Sequence, residues 1–480
     1  MRIKLLAALC GVTIVALLLA ACAAPTPAPT PVPPTQPPAA QPTQPPAAQP
    51  TQPPAAQPTQ PPAATKPPAA KGIMGLDVPQ GKGKLRVGVY AYMTQGIDFK
   101  RLVKKYTDTY PGVEVQIIEI PGEESAWQPM TQKMQLAAQQ KKADWDIVIG
   151  PTPFIEPGAM APLGLLTPLD DLLPKDVFDD MYAGVREEIK WTGDGKSYMV
   201  PWWSDVFGLI YRPSMLKEAV GTDKPPETWD EIIQYSDKIK AKYGDKIAAF
   251  GADWTFGHRM FIPMLNTFSE KPFTEEGVVN LDDPGARKTL EYMQKLYPYM
   301  PATAQQALGS SKAFQSAALA MEIYWQPQLL RAIQAKQPKE DLKMVAFPKG
   351  TKTGTIFWTA GAMIPTYSAN KEAALHFVVK GLYDYDAVLD SNVNNWKITP
   401  FKSAMNALKD KGAMPDWAPG LLPTLDTAKP IPCNAYYLNV EQQVMQEEFE
   451  KMFLKGQSID DTLANLKKRI ADGVAEMKKK

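Results

Sequence analysis

The chain has 480 residues and a mass of 52.9 kDa, with 52 Lys and Arg against 51 Asp and Glu, 2 His, 3 Cys and 48 Pro. That length exceeds one ordinary domain, and the charge balance lacks the basic footprint that a nucleic-acid-binding protein needs. Arg2, Lys4 and Lys66 are the only charges in the first 70 residues, so the remainder of the chain is slightly acidic.

Arg2 and Lys4 precede an apolar run from Leu5 to Ala21. The run has the length of a secretory signal core and falls short of the roughly 20 residues of a membrane-spanning helix. It ends in Leu19-Ala20-Ala21-Cys22, which resembles the bacterial lipobox. That resemblance implies a signal peptide over residues 1–21, cleavage, and acylation of Cys22. Several acyl chains on one residue hold far more firmly than the single chain that binds a bilayer reversibly. The alternative is an uncleaved anchor helix, and both place the body outside the cytoplasm, attached to the cell membrane.

Between Pro25 and Pro68 stand 19 of the 48 prolines, and the octad Thr-Gln-Pro-Pro-Ala-Ala-Gln-Pro starts at Thr35, Thr43 and Thr51. Such a segment is too polar and too Pro-rich to bury a core, so residues 22–71 read as a disordered, polyproline-II-like tether. At about 3.1 Å per residue it reaches on the order of 140 Å. With Cys10 lost with the signal and Cys22 acylated, Cys433 is left alone and no intramolecular disulfide forms in the mature body.

Beyond the tether, strand and helix patterns alternate. Leu85 to Tyr90 reads as a strand, Phe99, Leu102, Val103 and Tyr106 share a helical face, and Val113 to Ile120 is a second strand. Trp127 to Gln140 is a helix and Asp146 to Ile149 a third strand. This order predicts a mainly parallel sheet with ligand-facing loops at its carboxyl ends. Thr228-Trp-Asp-Glu231 is a capping box, and Ser458 caps a last helix whose face carries Ile459, Leu463, Leu466, Ile470 and Val474.

The features also keep a recognisable order. Tyr110-Pro-Gly-Val-Glu-Val115, Asp144-Trp-Asp-Ile-Val-Ile149, Gly164-Leu-Leu-Thr-Pro-Leu-Asp170 and Gly195-Lys-Ser-Tyr-Met-Val-Pro201 come first. Gly208-Leu-Ile-Tyr-Arg212, Pro226-Glu-Thr-Trp-Asp-Glu231, Ala318 to Trp325 and Thr359-Ala-Gly-Ala-Met-Ile-Pro365 come after them. Together, from about Leu85 to Val474, they resemble the family-1 extracellular solute-binding proteins of ABC importers, the group that includes maltose-binding protein. Arg212 stands where that family usually has Asn.

The resemblance implies an α/β, two-lobed periplasmic-binding-protein fold of the type II, Venus-flytrap kind, with discontinuous lobes joined by hinge strands. Lobe 1 is expected over 84–204 plus 355–398, and lobe 2 over 205–354 plus 399–480. The ligand lies between them, most simply a sugar or oligosaccharide delivered to the permease subunits of an ABC transporter. A monomer without cofactor, metal or catalytic residues is expected.

Flat aromatic faces bury the C–H surface of a pyranose ring, while polar groups satisfy its hydroxyls. By family position or loop position, the candidate ligand residues are Tyr92, Gln95, Thr152, Trp202, Trp203, Asp205, Trp254, Glu322, Tyr324, Trp325, Trp358, Trp396, Tyr436 and Tyr437. Strand alternation allows only one of Trp202 and Trp203 to face the ligand. Each aromatic is weighed against plain core packing, Asp205 against a hinge ion pair, and His258-Arg259 as an anion site against a surface arginine.

Enzyme readings find little support. The two histidines, His258 and His376, form no zinc motif, Gly195-Lys196-Ser197 lacks the earlier glycine of a phosphate loop, and no nucleophile elbow occurs. A secreted carbohydrate-active hydrolase needs only two carboxylates, so it stays as the alternative, together with an adhesion lipoprotein. Within the binding class, a glycerophosphodiester or polyamine stays as an alternative ligand.

Overall fold

The computed structural model describes residues 72–480 apart from 94–96, 121–126, 141, 143, 151, 255–256, 303–309, 416 and 480. The signal segment, Cys22 and the Pro-rich tether lie outside the described residues.

Eight strands are found among the described residues: β1 Gly83–Tyr90, β2 Val113–Ile120, β3 Ile147–Gly150, β4 Val200–Tyr211, β5 Ala248–Gly251, β6 Leu319–Trp325, β7 Lys343–Val345 and β8 Phe357–Met363. The order β2-β1-β3-β8-β4-β6-β5 runs through all but β7, which also pairs with β4. β1 lies parallel to both β2 and β3, as the strand–helix–strand pattern predicts, but the expected mainly parallel sheet is not found, because β8 pairs antiparallel with β3 and β4, and β4 antiparallel with β6 and β7. Leu85, Val87 and Val89 of β1 are buried on one face, and Ile147 to Ile149 of β3 are buried on both, the pattern of a parallel sheet covered by helices.

β4 explains how one path serves two sheets. All twelve of its residues are buried, as its apolar and aromatic composition requires. Its first half, Val200 to Val206, pairs antiparallel with β8, and its second half, Phe207 to Tyr211, pairs antiparallel with β6 and β7. The chain crosses again between β7 and β8, because β7 joins the second half of β4 and β8 joins the first. Gly208 and Gly361 permit these close approaches. A Cβ on Gly208 would collide with the carbonyl oxygen of Val345, and one on Gly361 with that of Val200.

A third crossing runs past Ser204, whose backbone exchanges hydrogen bonds with Ile398. The helix Lys402–Asp410 beyond it stays with the first sheet's layer. The backbone N–H and hydroxyl of Ser403 both donate to Asp180, and Phe401 bridges to Met181. The chain reaches the second side later, where Asn266 donates to the carbonyl of Lys429 and Asn434 to that of Gly277.

Local signals act as their chemistry requires. Thr228 accepts the Glu231 amide at 3.2 Å, while Glu231 reaches back to the Glu227 amide at 2.6 Å, one residue earlier than a standard capping box. Ser458 accepts the Asp461 amide at 3.1 Å and opens the helix Ile459–Met477, with Leu466, Ile470 and Val474 buried. Trp191 to Lys196 form a turn, with Gly195 at φ +73°.

The folded body starts earlier than the strand pattern suggests. Gly72–Gly75 make one helical turn, Ile73 is fully buried and Leu76 nearly so, and the Ile73 amide donates to Asp180 at 3.0 Å.

Candidate functional site

Where the two halves of β4 meet, side chains from both sheets converge. β8 begins there with Phe357-Trp358, β6 ends there with Tyr324-Trp325, and Gln326 comes directly after. The Trp325 and Trp358 rings lie 4.8 Å apart, Tyr324 stacks on Trp325 at 4.0 Å and 28°, and Phe207 of β4 sits edge-on to both tryptophans. Such pairs add about 0.5–1.5 kcal/mol each beyond the area they bury.

Three further segments close the cluster. The turn Gly257–Arg259 brings His258 within 5.3 Å of the Trp358 ring. The His258 Nδ1 and the Tyr437 hydroxyl are 2.6 Å apart, and that hydroxyl also accepts the His258 amide at 3.1 Å. Phe154, just after β3, packs edge-on against Tyr437 at 4.9 Å, so the two sides touch through it. Burial, reinforced by the neighbouring Arg259, holds the His258 imidazole neutral, well below its ordinary range. Burial likewise pushes the Tyr437 hydroxyl far up.

Charge in the cluster is paired. The Lys397 ammonium lies 2.6 Å from one Asp205 oxygen and 2.9 Å from the other. Arg259 pairs with Asp253 and lies 5.3 Å over the Trp325 ring. The site thus offers aromatic faces and neutralised ions, a lining suited to an uncharged ring with hydroxyls.

The sequence candidates fall into three groups. Asp205, Tyr324, Trp325, Trp358 and Tyr437 come together at this junction. Trp202, Trp254, Glu322 and Trp396 are engaged elsewhere. The Trp202 ring packs on Phe99 at 5.7 Å and its indole donates to the Leu382 carbonyl. Trp254 is fully buried against Met300, Phe250 and Phe453. Glu322 is fully buried on hydrogen bonds from Ser310 at 2.9 Å and Gln328 at 2.8 Å. Burial raises its carboxyl to about 7 against the pull of those bonds. Trp396, at φ +54°, stacks on Trp417.

Trp203, Thr152 and Tyr436 stand at the margin. Trp203 is buried, 4.7 Å from Trp202, with Lys397 5.7 Å over its ring. The pairing with β8 shifts register between Pro201 and Trp203, and both tryptophans are buried because both faces of β4 are covered. Thr152 is buried and its carbonyl caps the turn to Glu156. Tyr436 is half-buried, its amide on Asn434. Gln95 and the side chain of Tyr92 lie outside the described residues.

Sequence reading missed Phe154, Phe207, Gln326 and Lys397. Gln326 carried one usable signal, its place at a strand's end immediately before Pro327. Among the described residues no group of His, Cys, Asp and Glu has metal-holding geometry, and no helix is long and apolar enough to cross a membrane. Cys433 is buried, its thiol on the Pro153 carbonyl and raised well above its ordinary range by burial.

Comparison with known proteins places the chain in a family. The profile of the bacterial extracellular solute-binding proteins matches residues 90–380, and the chain belongs to that family. The maltotriose-binding protein of Pyrococcus abyssi is 24% identical over 292 residues, 58% of each chain, so the match spans less than two thirds of that relative's length. Maltose-bound MalE3 of T. maritima superposes with a TM-score of 0.64 at 22% identity, covering 81% of this chain and 99% of that one. A solute-binding protein of Thermotoga lettingae bound with α-D-tagatose gives 0.65 at 17% identity, covering 81% and 99%. The fold is therefore the two-lobed α/β fold of the MalE-type periplasmic binding proteins, with discontinuous lobes joined by hinge strands.

Proposed function

We propose that the chain is a membrane-tethered, extracytoplasmic solute receptor that captures a sugar or oligosaccharide between its lobes and delivers it to an ABC importer. The observation that carries this is the junction cluster, in which aromatic rings from both sheets meet at the strand they share. A ligand that touches both sides stabilises the closed form by its differential affinity. Relatives whose names specify maltotriose and maltose support a sugar, and family membership supports binding without turnover.

Trp358 is partly buried while Tyr324, Trp325 and Tyr437 are buried, so Trp358 is the first platform for the ligand, with Tyr436 at the rim. In this reading lobe 1 takes 84–204 plus 355–398 and lobe 2 takes 205–354 plus 399–480, except that the contacts of Gly72–Gly75 and Lys402–Asp410 support moving both segments into lobe 1. Cys22 carries the lipid, residues 22–71 form the tether, and the receptor acts as a monomer with no cofactor.

The test is a titration of the full chain in mild detergent with mono- and oligosaccharides, following tryptophan emission and melting temperature. Saturable one-to-one binding with a raised melting temperature supports the reading. Silence across the panel from a folded protein overturns the sugar assignment, and release of products from a glycan establishes a hydrolase instead.

A further inference from the structure

Sequence alone leaves the Asp205 carboxylate between two roles, a ligand contact or an ion pair. Its surroundings decide between them. An ionised carboxylate presents about four lone-pair sites. Four protein hydrogen bonds occupy them: Lys397 Nζ at 2.9 Å and 2.6 Å, Gln326 Nε2 at 3.1 Å, and the Trp358 indole Nε1 at 3.2 Å. The residue is 4% exposed, which leaves it almost no solvent contact to exchange for a ligand hydroxyl.

The three donor residues arrive from separate parts of the chain. Gln326, Trp358 and Lys397 lie 121, 153 and 192 residues from Asp205 and belong to the end of β6, the start of β8 and the third crossing. Gln326 is itself held on both sides of Asp205, its Oε1 accepting the Val206 amide at 2.8 Å and its Nε2 also donating to the Ser204 carbonyl at 3.2 Å. One carboxylate in the middle of β4 therefore fixes a side chain from every neighbouring crossing. The indole N–H of Trp358 is used up in this bond, so the ring turns a carbon face, not a polar edge, towards the ligand.

We propose that Asp205 is a positioning residue: it takes no ligand, and with Lys397 and Gln326 it sets the orientation of the Trp358 platform. This deepens the sugar-receptor reading and rests on it for its consequence, though not for its geometry.

The test replaces the ion pair with apolar groups of similar size, Asp205→Leu with Lys397→Met, in the full chain labelled with 5-fluorotryptophan. Exchanging a buried ion pair for apolar residues is often neutral for stability, so the melting temperature is expected to stay within a few degrees. The Trp358 fluorine resonance, identified by its loss in Trp358→Phe, is expected to shift and broaden. Affinity for the probes maltose and maltotriose is expected to fall about tenfold, and in the Trp358→Phe background the same double replacement is expected to cost less than about twofold. An unmoved Trp358 resonance in the folded variant overturns the proposal, as does full additivity with Trp358→Phe, which a direct ligand contact would give. If the double variant fails to fold, the unmodified chain still decides. A Trp358 indole proton that exchanges as fast as a free indole overturns the proposal, and a protected one upholds it. Absence of binding by the unmodified chain sinks the sugar reading for those probes, while the fluorine and exchange results still judge Asp205.

Discussion

Trp254 and Trp358 are the same residue in two settings. Trp254 is sealed between Met300, Phe250 and Phe453, with a sulfur at its indole N–H, and every face of it serves packing. Trp358 is only partly buried, its N–H bound to a carboxylate and its ring beside Trp325 and His258. The difference teaches that an aromatic count does not mark a sugar site. On the proposed reading, the mark is a partly exposed ring whose polar atom is held by a charged group from another segment.

The most severe way to test that contrast is Trp254→Ala, which opens a large cavity and is expected to cost about 3–5 kcal/mol of stability. Denaturant unfolding measures it, and the protein that remains folded should bind sugar as before. A marked affinity change at unchanged stability would erase the distinction.

Next in size is a pH effect rooted in the buried carboxyls. Burial raises Glu322 to about 7 and Glu156, Glu188 and Glu441 to about 8, against an ordinary value of 4.5. A folded state that binds the proton more tightly than the unfolded chain is most favoured below pH 4.5 and loses that advantage as pH rises through 7 to 8. Each tenfold gain in proton affinity on folding is worth roughly 1.4 kcal/mol, so Glu322 contributes about 3 kcal/mol. Melting temperature should therefore fall from pH 5 to pH 8, and Glu322→Gln should flatten the fall between 5 and 7. Glu448 acts in the opposite sense. Burial pushes its carboxyl up, but hydrogen bonds from Lys451, Gln457, Arg469 and Asn465 outweigh that and carry it to about 2. Its contribution is complete above pH 4.5 and disappears as pH falls towards 2.

Trp358→Ala sharpens the contrast from the other side. It removes a platform more than a core residue, so affinity should drop by about 2 kcal/mol, roughly 30-fold, in a calorimetric titration. Unfolding free energy should change less than in Trp254→Ala. The smallest effect is Ser458→Ala, which deletes an N-cap far from the junction and should cost about 1 kcal/mol with no effect on affinity.

Much of the fold was legible because its signals are local. β1, the helix Phe99–Thr109 and β2 obey their hydrophobic periods, and the order of turns and strands carried the family. The site was legible only in part. Trp358, Trp325 and Tyr324 stand near strand ends, Asp205 in the shared strand and Tyr437 at the start of a helical segment, positions that pattern and family position suggest. Lys397 and Gln326 act through register between strands far apart in sequence, which a single chain does not encode locally. Trp202 and Trp203 are both buried because both faces of β4 are covered, which alternation within the strand does not foresee. Trp254 and Glu322 share the composition of site residues and differ only in what buries them.

Ile73 and Leu76 fill the first lobe's core from a segment that looks, by composition, like the end of the tether. Their position sets a border between two evolutionary regimes. If residues 22–71 act as the proposed tether, they need only a composition, so insertions, deletions and proteolytic cuts there are expected to change reach and leave the folded body intact. From Gly72 onward the chain needs a shape, and a cut just before β1 would strip two core side chains worth about 2–5 kcal/mol each. On the proposed reading, a protease that cuts the tether has a permissive stretch ending only a few residues before an intolerant one, and a form that begins at Lys84 lacks both Ile73 and Leu76.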